Sequence, residues 1–185
     1  MDQKKRIVMI GSSCIDEYYE MLDAFYDDYD YGVEISDDIG IKVFSGIEIS
    51  YGGTDFLVYG LDKEWYVNHP EILEKDIKSK LEYFSEHGAL IIQAHPFREA
   101  GYIDHIRLFP RSVHGVEVFN ACRNDLENNM AKIYADQYGL INFSGSDNHS
   151  GSNQKKLGGM SADVPINSVE EFKDLLLGGK MSIIM

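Results

Sequence analysis

The sequence predicts an α/β fold in a single domain, and three observations lead to this prediction. Short apolar runs alternate with longer amphipathic segments, which is typical of β/α units on a largely parallel sheet. The 185 residues, 44% of them hydrophobic and 26% charged, are enough for one sizeable core but too few to presume two domains. Only four prolines occur, and we find no internal repeat or low-complexity linker. We therefore expect residues 1–185 to form a single domain.

Five short apolar runs are expected to form the strands. They are bounded by turn residues and are shorter than most core helices. The runs cover residues 41–49, 89–94, 115–119 and 140–144, with 54–59 as a fifth.

Four segments with helical periodicity lie before, between and after these runs. Gly88 and Gly139 follow two of the segments at the position of a C-terminal cap. Ser168, with Glu170 and Glu171 behind it, is expected to cap the last helix at its start. The predicted helices cover residues 12–29, 70–87, 125–138 and 168–177.

The charge of the chain is strongly acidic, with a formal net value of -14. Ten acidic residues and no Lys or Arg lie between Ile7 and Ile41. Such a surface repels polyphosphate, since affinity for nucleic acid comes largely from Lys and Arg that displace counterions. The segment lacks the loop of a calcium-binding hand, so we interpret it as a solvated helix face.

Neither a membrane span nor a secretory signal is evident, so we expect a cytoplasmic protein. No apolar stretch approaches about 18 residues, and acidic residues closely follow the first short apolar run. Cys14 and Cys122 are the two cysteines, and neither belongs to a C-x-x-C pair. They are expected to be ordinary thiols, because this usage is far below that of a disulfide scaffold.

Polar residues that can bind metals or substrates lie in, or just after, four of the predicted strands. The carboxyl ends of parallel strands meet at one edge, where active sites of β/α proteins assemble. We therefore expect one shared site. Its candidate residues are Glu48, His95, Glu117, Asn120, Asp147 and His149.

Four of these residues form a candidate metal-binding set. Asp147 and His149 are two residues apart, so continued strand geometry would project both side chains to the same side. Glu48 and His95 would add an oxygen and a nitrogen, and this mixed set suits zinc, manganese or iron better than calcium. Each residue taken alone also has a structural interpretation as a turn residue, a helix cap or an ordinary carboxylate.

Arg98 follows His95 by three residues. A guanidinium group next to a metal site is suited to clamp a substrate phosphate through two parallel hydrogen bonds. Pairing with Glu99 or with another acid is the alternative.

Four motifs in this order resemble the PHP domain (polymerase and histidinol phosphatase). They are GIEIS around Glu48, IIQAHPFR around His95, GVEVFNA around Glu117, and FSGSDNHSG around Asp147 and His149. The resemblance covers residues 41–180, whereas residues 1–40 form a divergent acidic helical segment.

The resemblance implies a distorted (β/α)7 barrel with a divalent metal centre and hydrolysis of phosphate esters. It implies that Glu48, His95, Asp147 and His149 are metal ligands. Asp147 would also orient the nucleophile as a catalytic residue, and Arg98 would hold the ester. The substrate would be a small phosphorylated molecule.

The chain departs from the family pattern at its amino-terminal side. The family begins with an H-x-H strand and a T-D-H or T-E-H strand end, but no histidine precedes Glu48. Leu57 stands where many members have a further histidine. We therefore expect an incomplete metal centre and a barrel that is incomplete at its N-terminus. Either the chain is a fragment, whose exposed strand edges favour a second copy or a missing amino-terminal segment, or it is a natural short form.

The leading functional hypothesis is a metal-dependent phosphoesterase whose catalytic centre is incomplete in this chain. One alternative is a non-catalytic binding or scaffold protein that uses the acidic, tyrosine-rich residues 16–38 as its partner surface. A further alternative is a nuclease of the PHP type, which the acidic charge balance disfavours.

Overall fold

The computed structural model describes residues 15–149 and 151–185, in which strands and helices alternate. The helices are α1 (Ile15–Ile39), α2 (Lys63–Asn68), α3 (Ile77–Glu86), α4 (Asp125–Tyr138) and α5 (Val169–Leu177), with short 3-10 helices at Pro70–Glu74 and Gly151–Asn153. The strands are β1 (Gly46–Tyr51), β2 (Thr54–Tyr59), β3 (Leu90–Ala94), β4 (Gly115–Asn120), β5 (Ile141–Gly145), β6 (Gly159–Ala162) and β7 (Met181–Ile184).

Strands β1 to β5 form a sheet in sequential order, and β6 pairs with β7 in a separate antiparallel ribbon. The α/β class is confirmed. The expectation of a largely parallel sheet needs correction, because β1–β2 and β2–β3 are antiparallel while β3–β4 and β4–β5 are parallel. The predicted (β/α)7 barrel is not confirmed, since the strands within the described ranges form an open sheet.

The β1–β2 hairpin sets the register at one side of the sheet. Gly52 and Gly53 connect its strands with φ angles of 54° and 84°, which residues other than glycine rarely adopt. The register places Glu48 opposite Leu57 and Ser50 opposite Asp55. Because strand side chains alternate, Glu48 and Asp55 project from the same face of the sheet.

Both faces of the sheet are covered by apolar clusters. One face packs against α1 and α3 through side chains such as Tyr18, Ile49 and Phe84. A second cluster joins β4 to α4. On the opposite face, Leu90, Phe143 and their neighbours pack against α5 and the β6–β7 ribbon. The remainder of this opposite face carries the polar residues of the candidate site.

The helices differ from the predicted segments in informative ways. Helix α4 has the predicted bounds, and α5 begins one residue after its cap, Ser168. The predicted segment 70–87 is divided, because Asp76 accepts a hydrogen bond from Ser79 N–H and begins α3 as a new helix. Helix α1 continues ten residues beyond its predicted end, and its predicted start at residue 12 lies outside the described residues.

Two further expectations concern the membrane and the cysteines. Among the helices of residues 15–149 and 151–185, none combines the length and apolar character that crossing a bilayer requires. Cys122 is an exposed free thiol, while Cys14 lies outside the described residues.

Candidate metal centre

The candidate site lies where the β1–β2 hairpin meets the carboxyl end of β3. Glu48 projects from β1, Asp55 from β2, and His95 directly follows β3. Asp55 pairs with Ala94, the last residue of β3, so it lies next to the chain that carries His95. The pairing of these three strands therefore brings an imidazole and two carboxylates together.

The ligand atoms of Glu48, Asp55 and His95 lie close enough to share one ion. His95 Nε2 is 3.7 Å from Asp55 Oδ2 and 3.9 Å from Glu48 Oε1, and the three atoms lie within 4.8 Å of one another. The side chains of His95 and Asp55 are 3% and 5% exposed, whereas that of Glu48 is 23% exposed. The group is therefore accessible from the side of Glu48.

The donor set fits a divalent cation such as zinc, manganese or iron. Ligand atoms at about 2.1 Å from a tetrahedral zinc ion would be roughly 3.4 Å apart, slightly closer than the separations observed here. Burial lowers the pKa of His95, and the nearby Arg98 charge lowers it further. The imidazole is therefore neutral at pH 7, which is the protonation state that binds a metal.

Two residues next to the strand ends have unusual backbone conformations. His95 has a φ of 25° and Asp147 a φ of 41°, in the left-handed region that favours glycine. The His95 N–H donates to Glu117 Oε2 at 2.9 Å, and the His95 carbonyl accepts from Arg98 N–H at 2.9 Å. These bonds hold the strained turn, and strain of this kind is frequent at functional sites.

Glu117 in β4 holds the backbone of His95 through the hydrogen bond from the His95 N–H. Its Oε2 also accepts from Asn120 Nδ2 at 2.9 Å. Burial raises the pKa of Glu117 to about 7, and the carboxylates of Asp147 and Glu48 add to this rise although the two hydrogen bonds oppose it. The carboxyl group thus positions the His95 backbone while it shares the electrostatic environment of the site.

Arg98 is paired with an acid of the site. Its Nη2 lies 2.9 Å from Asp55 Oδ2 and donates to the Gly53 carbonyl at 3.2 Å. The other oxygen of Asp55 accepts from Ser50 Oγ at 2.6 Å. The pairing alternative is therefore observed with Asp55, while Glu99 uses its backbone N–H to bind Glu127 Oε1.

Asp147 and His149 follow β5 at the margin of the site. The charge of Asp147 acts on both His95 and Glu117, since it opposes the lowering of the His95 pKa and adds to the rise of the Glu117 pKa. His149 Nδ1 is 2.7 Å from the Asp147 carbonyl and 3.2 Å from its Oδ1, and the ring is half exposed. Neither residue belongs to the group of ligand atoms formed by Glu48, Asp55 and His95. Their role as ligands stays a prediction.

Asp55 is the member of the group that the sequence analysis missed. Leu57, at the expected position of a family histidine, packs against the apolar cluster near Leu90 instead. Asp55 lies two residues earlier on the same face and supplies an oxygen there. A single acid in the apolar run TDFLVY was the available signal.

Comparison with known proteins identifies a shared fold. No family model and no curated protein match the chain. A two-domain protein from Bacteroides vulgatus, described as containing a predicted PHP-like metal-dependent phosphoesterase, aligns with a TM-score of 0.62 and 17% identity. The alignment covers 85% of this chain and 48% of that protein, so the chain spans about half of its length.

A second solved structure, from Bifidobacterium adolescentis, is described as a proposed metal-dependent phosphoesterase. It aligns with a TM-score of 0.50 and 13% identity over 80% of each chain. At such low identities these similarities establish the fold, and function has to be argued from the site.

Proposed function

We propose that this chain is a PHP-type domain of a metal-dependent phosphoesterase for small phosphorylated molecules. The observation that carries the proposal is the group formed by Glu48, Asp55 and His95, next to the buried carboxyl group of Glu117. The PHP-like description of a structural neighbour supports the same family. The four motifs that resemble this family contain three of these four residues.

The proposed roles follow the positions of the side chains. Glu48, Asp55 and His95 would hold a zinc, manganese or iron ion, and Asp147 and His149 would add ligands from the loop after β5. A divalent ion bound there supplies Lewis-acid polarisation of a phosphoryl oxygen. Arg98, fixed by Asp55, would contact the ester on the same side.

We expect slow turnover by these residues alone. Phosphoryl transfer with two metals needs ions on both sides of the reacting phosphorus, a few ångströms apart. The described residues offer one group of three ligand atoms, and two further candidates lie at its margin. This set is sufficient for one ion.

Metal content per chain is the first test. We expect about one zinc, manganese or iron per chain by elemental analysis of protein purified without chelators. His95→Ala should lose it, and the double variant Asp147→Ala with His149→Ala should reduce it. His105→Ala is the control, because this exposed ring faces Asp104. A wild-type chain without metal after incubation with each ion would overturn the proposal.

Hydrolysis is measured separately on the metal-loaded protein with p-nitrophenyl phosphate. Release of p-nitrophenol that disappears in His95→Ala would support an enzyme. Stoichiometric metal without hydrolysis would favour the alternative of a binding or scaffold protein. The exposed acids of α1, such as Asp27, Asp28 and Asp30, are the candidate partner surface for that alternative.

A further inference from the structure

Arg123 lies in the turn after β4, the strand that carries Glu117. Its backbone N–H donates to the Asn120 carbonyl at 3.0 Å, and Asn120 Oδ1 accepts from Cys122 N–H at 2.8 Å. The Asn120 amide also binds Glu117. Cys122 Sγ contacts the Asp147 carbonyl at 3.3 Å. The turn is thus fixed both to the carboxylate that supports the site and to the loop after β5.

The guanidinium group of Arg123 has a buried donor without an acceptor. Within residues 15–149 and 151–185, Arg123 Nε has no hydrogen-bond partner, and no carboxylate forms an ion pair with this side chain. The contrast with Arg107 is clear, because Arg107 binds Asp104 and two backbone carbonyls. In a chain with 31 acidic and 17 basic residues, a partly buried arginine without an acid is unexpected.

Arg98, in the loop after β3, presents a similar donor. Its Nη2 binds Asp55 and Gly53, but its Nε is buried and has no partner in the described part of the chain. Arg98 and His95 share Asp55 Oδ2, at 2.9 Å and 3.7 Å.

The turn with Arg123 is joined to the His95 backbone through Asn120 and Glu117. The charges of both arginines also act to lower the pKa of His95. Two elements, the loop after β3 and the turn after β4, therefore bring unsatisfied cationic donors to one place.

We propose that Arg123, together with Arg98, binds the phosphoryl group of the substrate. This inference rests on the proposed function and names a substrate-binding residue that the sequence analysis did not identify. A guanidinium group offers parallel N–H donors that match two oxygens of a phosphate. Arg98 already forms an ion pair with Asp55, whereas no ion pair within the described residues compensates the charge of Arg123. The occupant is therefore an oxyanion held next to the metal ligands.

Binding of inorganic phosphate to metal-depleted protein tests the inference. Isothermal titration calorimetry in the presence of a chelator compares wild type, Arg123→Gln, Arg123→Lys and Arg111→Gln. We expect Arg123→Gln to weaken phosphate binding roughly tenfold to hundredfold, the range of a lost hydrogen bond to a charged group. Arg123→Lys should retain part of the affinity. Arg111→Gln removes the same charge at an exposed position before β4 and should bind like wild type.

Thermal melts without phosphate verify that each variant is folded. If Arg123→Gln is unfolded, the comparison of wild type with Arg123→Lys is used instead. Absence of phosphate binding in wild type, or equal affinities of wild type and Arg123→Gln, would overturn the inference. Metal content of the same variants, purified without a chelator and measured before depletion, separates it from the proposed function. Arginine-dependent phosphate binding in a chain that never takes up metal would retain the anion site and refute the metal-dependent enzyme.

Discussion

Glu117 combines a buried carboxyl group with hydrogen bonds that favour its charged form. Burial has the larger effect and raises its pKa from 4.5 to about 7. The folded protein therefore binds this proton more tightly than the unfolded chain does. The resulting contribution to stability is fully present below pH 4.5 and is lost as the pH rises through 7.

We predict that Glu117→Gln removes this pH dependence. Between pH 5 and pH 8, metal-depleted wild type should lose on the order of 2 kcal/mol of unfolding free energy relative to the variant. Urea denaturation at both pH values with a chelator present measures the difference. Glu86→Gln, at the exposed end of α3, should retain the wild-type dependence. Parallel pH profiles of wild type and Glu117→Gln would contradict the prediction.

Individual members of the candidate site were predictable from sequence where the strand ran in the expected direction. Glu48 and His95 were found from the motifs around their strands, and the structure places them together. Asp55 was missed because polar residues were sought at the downstream end of each strand. Strand β2 is antiparallel to β3, so its upstream end, with Asp55, lies beside Ala94. Strand direction follows from pairing between distant segments, which local periodicity does not report.

Strand β5 can approach β4 closely at Gly145 because this residue has no side chain. This residue pairs with Asn120 of β4, and a Cβ atom here would collide with Glu117 Oε1. Glu117 has little freedom to move, because the His95 N–H and the Asn120 amide both hold its other oxygen. The close contact between β4 and β5 therefore requires glycine.

We expect Gly145→Ala to lower the free energy of unfolding by roughly 1 to 3 kcal/mol, the usual cost of overpacking. It should also disturb His95 and reduce metal content. Gly101→Ala is the control, since the space around a Cβ atom at Gly101 is open and its φ is not positive. Urea unfolding at a fixed pH compares the variants. Equal stability of Gly145→Ala and wild type would show that β4 and β5 can separate without cost.

Helix α4 begins with a capping box, and its Glu127 also accepts a hydrogen bond from the Glu99 N–H in the loop after β3. Asn124 Oδ1 accepts from Glu127 N–H, and Glu127 Oε2 accepts from Asn124 N–H, both at 2.9 Å. We predict that Asn124→Ala costs about 1 kcal/mol of stability. The exposed Asn129 of the same helix provides the control variant Asn129→Ala. Urea midpoints measure both changes, and equal effects would argue against the cap.

The same caps explain which elements could be predicted from sequence. The bounds of α4 were predicted correctly because Gly139 ends the helix locally, with a φ of 65°. The predicted segment 70–87 was wrong as one helix, because a strand-like residue at Lys75 and the cap Asp76 interrupt it. Helix α1 was predicted too short, since Gly32 and the exposed acids of its late turns weaken the local helical signal. Tyr31, Ile35 and Ile39 are spaced four residues apart there, but all three are exposed.

At the level of the whole molecule, the α/β class follows from the alternation of elements, but closure of a barrel does not. Closure requires the first and last strands to pair, and nothing in a single apolar run encodes that distant partner. The described strands instead form an open sheet with β1 and β5 at its edges. The similarity to solved structures concerns this α/β arrangement.

The distribution of charge over the whole molecule provides the last prediction, which tests the nuclease alternative. The net charge is -14, and the exposed face of α1 is rich in acids. Nucleic-acid affinity needs basic side chains that release counterions, so a single-stranded DNA oligonucleotide should not bind at about 0.15 M salt. Lowering the salt concentration should not restore DNA binding, because repulsion by the acidic surface is then less screened.

Fluorescence anisotropy of a labelled oligonucleotide measures this binding over a salt series. A variant with Asn at Asp27, Asp28 and Asp30 tests whether the acidic helix is responsible for the repulsion. Inorganic phosphate should still bind to wild type, because Asp55 and its partner Arg98 lie on the side of the sheet opposite to α1. Saturable DNA binding that strengthens as the salt concentration falls would indicate a basic binding surface and would favour the nuclease alternative. Phosphate binding without DNA binding is the pattern expected of a site for small substrates.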